Sequence, residues 1–348
     1  MHYNNQVKKI CLLTVGFFLT ACNGYQLPLD ITYNQEPSYC WEQFYQQNPP
    51  DIQKANLKKL NYALCYHGFN MVYSGVSKTP LWVAEHLTPT RLSTPLKRQD
   101  HFHEEERIDK EHRSLLTDYR GSGFDRGHMA PNGDMFDEQS QYDSFTLTNM
   151  VPQHPKNNQN IWREIEEATR AMVRKQQQEV YVITGPLFEK KQLQAIGNGV
   201  LVPTAVFKAV YYPKLGVVSA YYTPNDDSQR YEIMSICALE QRAGINLFPK
   251  MNQDMKREIY NLPLNANAVK SNRIIELKAI DRKSTCANPV SDAELEWQKQ
   301  QFKWENFKTL RYSTMPQGLF TETPPEQTVS EQMVNTALLK VVRILKDE

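Results

Sequence analysis

The sequence has almost no net charge. Its 348 residues carry 40 Lys and Arg against 39 Asp and Glu, a formal net charge of +1. Without Lys8 and Lys9, which lie in the first segment, the balance becomes 38 against 39, or −1. That excludes a protein that holds a polyanion by global charge, so a nucleic acid would have to be drawn by a local patch. Long apolar runs are also missing. The apolar stretch 10–19 is too short for a comfortable membrane span. No Cys-x-x-Cys occurs, which argues against a structural zinc site. There is no internal repeat, so a solenoid is excluded, and no long low-complexity segment.

What stands at the start is a targeting pattern. Lys8 and Lys9 precede the short apolar core, and residues 1–21 read as a signal segment. Leu19-Thr20-Ala21-Cys22 resembles a bacterial lipobox. The resemblance implies cleavage before Cys22 and lipid on its thiol and new amino group. Several acyl chains would hold the protein to a lipid membrane. Asn23 rather than Asp follows the cysteine, which implies an outer-membrane lipoprotein facing the periplasm or the cell surface. The alternative is an ordinary secretory signal and a secreted protein. Export changes the cysteine arithmetic. Cys11 leaves with the signal and Cys22 is lipidated, so Cys40, Cys65, Cys237 and Cys286 remain. Four cysteines in an oxidising compartment allow three pairings. Cys40–Cys65 with Cys237–Cys286 is favoured. The first would close a loop of about 25 residues, worth roughly 3–4 kcal/mol by chain entropy. Cys237 lies in the apolar run 236–239, so a free buried thiol competes.

The densest chemistry lies in residues 118–170, which read as strand, strand and helix. Gly121 and Gly123 loosen the backbone before a short apolar stretch. Residues 142–150 are aromatic and β-branched and stop at Val151-Pro152, which predicts a strand. From Ile161 the apolar spacing is helical, through Trp162, Ile165, Ala168, Met172 and Val173. Asn157, Asn158 and Asn160 stand where an N-cap belongs. Steps of four from Asn158 reach Trp162, Glu166 and Arg170, so an amide, a carboxylate and a guanidinium share one flank.

Those groups suit phosphodiester hydrolysis. It needs an activated water, neutralised phosphoryl oxygens and help for the leaving oxygen. His128 can be neutral near pH 7 and accept a proton. Asn158 and Glu166 offer the oxygen ligands that a hard cation takes. Arg126 and Arg170 can hold phosphate oxygens through forked donors. Singly, each has a plainer reading: a histidine beside glycine, a helix cap, a solvated glutamate.

Together they match a family. Asp125-Arg126-Gly127-His128 resembles the signature of the DNA/RNA non-specific endonucleases, the ββα-metal (His-Me) finger enzymes that include endonuclease G. Thr148-Asn149-Met150-Val151-Pro152-Gln153 and the run from Asn158-Gln159-Asn160 through Trp162 and Glu166 to Arg170 are similar to it in the same order. Residues 181–189 resemble the next strand and turn, and the similarity runs over about 70–251. The resemblance implies His128 as general base and Asn158 as direct ligand of magnesium, with manganese as a substitute. It implies that Glu166 holds metal-bound water, that Arg170 meets the substrate or transition state, and that Arg126 contacts phosphate. Asn149 corresponds to a supporting amide near the base, although a strand-end Asn satisfying only backbone groups would look the same. Arg98 occupies about the place of another family arginine. Arg113 is near enough to the signature to contact substrate. DNA and RNA are the implied substrates, cut to leave 5′-phosphates. The alternative is a catalytically inactive surface lipoprotein that binds nucleic acid, which the intact His128, Asn158 and Glu166 disfavour.

Around this centre, residues 22–55 read as a tether that becomes ordered near Cys40, 56–283 as the endonuclease domain and 284–348 as a helical extension. Residues 179–185, 200–210 and 217–222 look like strands, giving an α+β fold with a mixed or antiparallel central sheet that carries the finger. The His- and Glu-rich run 101–112 could be taken for a metal cluster, but a solvated charged face is the reading preferred. Residues 328–346 form an amphipathic pattern suited to packing on the body or on a partner copy in a homodimer.

Overall fold

The computed structural model describes residues 38–271 and 274–305. The expected signal segment 1–21, the lipidation residue Cys22 and the amphipathic pattern 328–346 lie outside them. Nine strands matter for the site. They are β1 (Asn61–Cys65), β2 (Asn70–Ser74), β3 (Thr79–Leu87), β4 (Asp125–His128), β5 (Met150–Gln153), β6 (Val180–Leu187), β7 (Ala205–Tyr212), β8 (Val217–Pro224) and β9 (Glu232–Met234). The longer α-helices are α1 (Glu138–Ser144), α2 (Arg163–Gln176), α3 (Ile236–Ala243) and α4 (Asp292–Gln301).

Seven strands form the central sheet in the order β9-β8-β7-β6-β3-β2-β1, and every neighbouring pair is antiparallel. The sequence left mixed or antiparallel open; it is antiparallel. Strand β7 explains why the sheet is central. Side chains alternate faces along a strand. Ala205, Phe207, Ala209 and Tyr211 enter one core with Trp82, Phe44 and Leu239 of α3. Val206, Val210 and Tyr212 face the other side, where Ile165 and Met172 of α2 and Val151 of β5 pack. With both faces covered, the strand reads as a continuous apolar run broken only by Lys208.

Strands β4 and β5 pair antiparallel from Asp125↔Gln153 to His128↔Met150. The chain then turns into α2, completing a ββα unit against the sheet. Two local expectations change here. The strand expected over 142–150 is replaced by α1, a turn at Phe145 and a 3-10 turn, Leu147–Asn149. Asp137 caps α1 by accepting from Ser140 N at 2.7 Å, a start signal stronger than local β-propensity. The asparagine run is not an N-cap either. Helical structure begins at Pro155, which loses nothing by lacking an N–H in a first turn. Asn157, Asn158 and Asn160 lie inside the π-helical turn Asn157–Trp162 that leads into α2.

The described part of the expected tether, residues 38–55, is folded, in line with order near Cys40. Cys40 and Phe44 are buried in the core, and Asp51 and Ile52 pair with Asn246 and Ile245. The described start of the extension also belongs to the body, where α4 buries Leu295 and Trp304 packs against Phe44. Cys40 pairs with Cys65 and Cys237 with Cys286, so Cys237 is no free thiol.

Candidate active site

Gly127 sets the geometry of the finger. A Cβ there would lie 2.0 Å from Gln153 Oε1 and 2.6 Å from Gln153 Cβ. With no side chain in the way, Gln153 donates through Nε2 to Asn157 Oδ1 at 2.6 Å. Asn157 in turn donates to Thr223 Oγ1 at 3.1 Å and to Pro224 O at 3.0 Å, both on β8. The hairpin, the π turn and the sheet are thus bolted together by two buried amides. Asn149 adds a third tie. It donates to Ala130 O and Ser144 O and accepts from Ala130 N, at 2.8, 2.9 and 2.9 Å. This fully buried residue fixes the chain just after His128, and it does not line the cleft.

The cleft beside the finger holds about 930 Å3. His128, Asn158, Glu166 and Arg170 line it together, with Arg98 and Arg126. Burial, then the charges of Arg98 and Arg126, push the His128 imidazole down to about 3, so the ring is neutral at pH 7. Its Nε2 is buried without a protein partner among the described residues. Phe145 meets the ring edge-on at 5.1 Å and Phe102 lies at 5.8 Å. Phe102 also carries the Arg126 guanidinium, 3.9 Å from its ring centroid. Arg98 is steered by Asp100, 2.6 Å from its Nε.

Asn158 donates through Nδ2 to Asp125 Oδ2 at 2.9 Å, and Gln159 donates to the same oxygen at 2.8 Å. The Asn158 amide oxygen has no protein partner among the described residues. Burial pushes the Glu166 carboxyl up to about 7, against the pull of Arg170 and Lys208. Lys208 is the polar break in β7. It is 1 % exposed and donates to Thr184 Oγ1 at 3.0 Å, 5.6 Å from the Trp162 ring. Arg170 donates to Asp134 at 2.8 Å. Burial opposes its charge, but Asp134 and Glu166 more than offset that and raise its pKa.

Among the described residues no three His, Cys, Asp or Glu side chains converge on one point. The free Asn158 amide oxygen in a cleft also lined by the carboxylates of Asp125, Glu166 and Glu167 is instead a donor set for a hard cation that keeps most of its water. The run 101–112 holds the loop. Glu105 receives Arg107 at 2.8 Å, and His103 stacks on Tyr142 with ring centroids 4.2 Å apart. Arg113 is corrected: it bonds the Glu105 and Ile108 carbonyls at 3.1 and 3.3 Å, pairs with Glu104, and does not line the cleft. Sequence reasoning missed Arg120, Gln159 and Arg163, which do line it, and the roles of Asp125 and Asp134. Asp125 stood in the quoted signature. Asp134 carried no local signal.

Residues 48–254 match the family model described as DNA/RNA non-specific endonuclease. The chain belongs to that family. The match starts earlier than residue 70 and ends before the extension at 284. Human mitochondrial endonuclease G is 33 % identical over 221 residues, covering 58 % of this chain and 74 % of the relative. The mitochondrial nuclease of Saccharomyces cerevisiae is 31 % identical over 220 residues, covering 55 % and 67 %. A chain in the solved EndoG/EndoGI complex is 27 % identical, with a TM-score of 0.52, covering 59 % of this chain and 92 % of that one. This DNA/RNA non-specific endonuclease family member is therefore an enzyme, a nuclease on an α+β fold.

Proposed function

We propose that the enzyme is a magnesium-dependent endonuclease that hydrolyses phosphodiester bonds of DNA and RNA. One observation carries the reading. A neutral His128 with a buried, unpartnered Nε2 shares a cleft with the free amide oxygen of Asn158 and the Glu166 carboxyl. His128 accepts a proton from water as the water oxygen bonds to phosphorus. The bond from phosphorus to the 3′ oxygen breaks, that oxygen takes a proton from solvent water to leave as a 3′-hydroxyl, and the new end carries a 5′-phosphate. Arg126 and Arg170 donate to the phosphoryl oxygens, and Arg98 contacts the strand beside them. Asn158, backed by Glu166, would hold magnesium, or manganese in its place. Such an ion, when bound, offsets the charge that develops on the phosphoryl and leaving oxygens. Asp125 keeps the Asn158 oxygen free by occupying the amide nitrogen. The test is cleavage of plasmid DNA and of a folded RNA with magnesium and with EDTA. Cutting of both that stops in EDTA is expected. Undiminished cutting in EDTA sinks the metal assignment.

The protein is further proposed to be exported and anchored through lipid on Cys22. Two disulfides support an oxidising compartment, because thiols stay reduced in the cytosol of most cells. Cys22→Ala should move the protein from the membrane to the soluble fraction. A protein that fractionates identically with and without Cys22 ends this part of the reading.

A further inference from the structure

Arg170 enters the cleft already held. Its Nη1 donates to Asp134 Oδ1 at 2.8 Å, and Asp134 is 1 % exposed. Among the described residues no other protein group takes a hydrogen bond from this guanidinium. Gly133 packs against it, since a Cβ there would stand 2.9 Å from Arg170 Cζ and 3.0 Å from Nη1. The turn that presents both residues is itself fixed. Arg91 donates through Nε to Asp134 O at 3.0 Å. Arg91 also pairs with Glu85, a fully buried residue of β3, at 3.5 Å, and donates to His86 O at 3.1 Å. A line of contacts therefore runs from the central sheet through Arg91 and the turn Asn132–Asp134 to a side chain on α2.

An arginine on a helix has many rotamers, and fixing one during the reaction costs side-chain entropy that a preset orientation avoids. Asp134 takes one nitrogen of the fork and leaves Nε and Nη2 uncommitted. Gly133 leaves room for the plane of the guanidinium. We propose that Asp134, with Gly133, is a positioning element that holds Arg170 in one orientation, with half of its fork reserved for a phosphate of the nucleic-acid strand. The inference rests on the role given above to Arg170. A merely structural ion pair would tie the turn to α2 and leave turnover alone.

The test measures kcat and KM on an oligonucleotide, with magnesium, for Asp134→Asn, Gly133→Ala, Arg170→Ala and the two doubles that combine Arg170→Ala with each other change. Gly133 is exposed and its backbone is ordinary, so Gly133→Ala remains informative if Asp134→Asn fails to fold. Misplacing a reacting contact by an ångström costs about 100-fold. Asp134→Asn and Gly133→Ala should each lower kcat by roughly 10- to 100-fold, and KM should change much less. Neither should lower it further when Arg170 is already Ala. Two outcomes overturn the clamp while sparing Arg170: single variants that turn over like wild type beside an impaired Arg170→Ala, or losses that multiply fully in the doubles. Arg170→Ala that cuts like wild type overturns the role of Arg170, and the clamp with it.

Discussion

His128 should make the fold acid-sensitive in a way that one substitution removes. Its pKa falls from 6.5 to about 3 because burial, then Arg98 and Arg126, disfavour the imidazolium. The unfolded chain has no such environment, so its imidazole takes a proton as pH drops below about 6.5 while the folded one does not. The stability held at neutral pH is therefore lost progressively from pH 6.5 down towards pH 3. Integrated from pH 7 to pH 5, the linkage amounts to about 2 kcal/mol, as an upper figure because the ring edge meets the cleft. Urea unfolding of wild type and His128→Gln at both pH values, with EDTA present and disulfides intact, isolates this site. Other titrating groups cancel in the double difference. Wild type should lose up to about 2 kcal/mol more than the variant. Equal losses would refute the claim that the cleft keeps His128 neutral by electrostatics and burial.

Gly127→Ala should destabilise by about 2–5 kcal/mol, from overpacking against Gln153 and from stranding the buried Gln153–Asn157 bond. Chemical denaturation reads it directly, and a loss under 1 kcal/mol would contradict the close approach. Arg120→Ala and Arg163→Ala should each flatten the dependence of log binding on log salt by about 0.9 for duplex DNA if each releases one counterion. An unchanged slope would place them off the substrate path. Replacing Cys40 and Cys65 by Ser should cost about 2–4 kcal/mol by releasing the 25-residue loop, seen as a lowered urea midpoint.

The cleft was legible where chemistry and helical period coincide. Asn158, Glu166 and Arg170 are spaced so that one flank of a helix presents all three, and that survives the π turn at its start. His128 and Arg126 were legible through the Asp125-Arg126-Gly127-His128 run and its resemblance to the family signature, since a histidine beside a glycine says little alone. What stayed hidden depends on distant partners. Asp134 meets Arg170 across 36 residues of sequence, and Asp125 meets Asn158 across 33. Arg113 looked like a substrate residue because of its neighbours in sequence, but its guanidinium turns to loop carbonyls. Residues 142–150 carried β-forming side chains, yet Asp137 and Ser140 had already started a helix. The sheet was readable in outline because β6, β7 and β8 are apolar over their length, and its purely antiparallel order follows from long-range pairing that no local pattern encodes.

The central claim is that His128 supplies the base and Asn158 the metal ligand of one hydrolytic site. Its most direct test is plasmid cleavage with magnesium by wild type, His128→Ala and Asn158→Ala, with folding of each checked by urea unfolding. The account predicts that both folded variants lose cutting by at least about 100-fold, the scale set by general-base catalysis. Folded His128→Ala that cuts at the wild-type rate would contradict it.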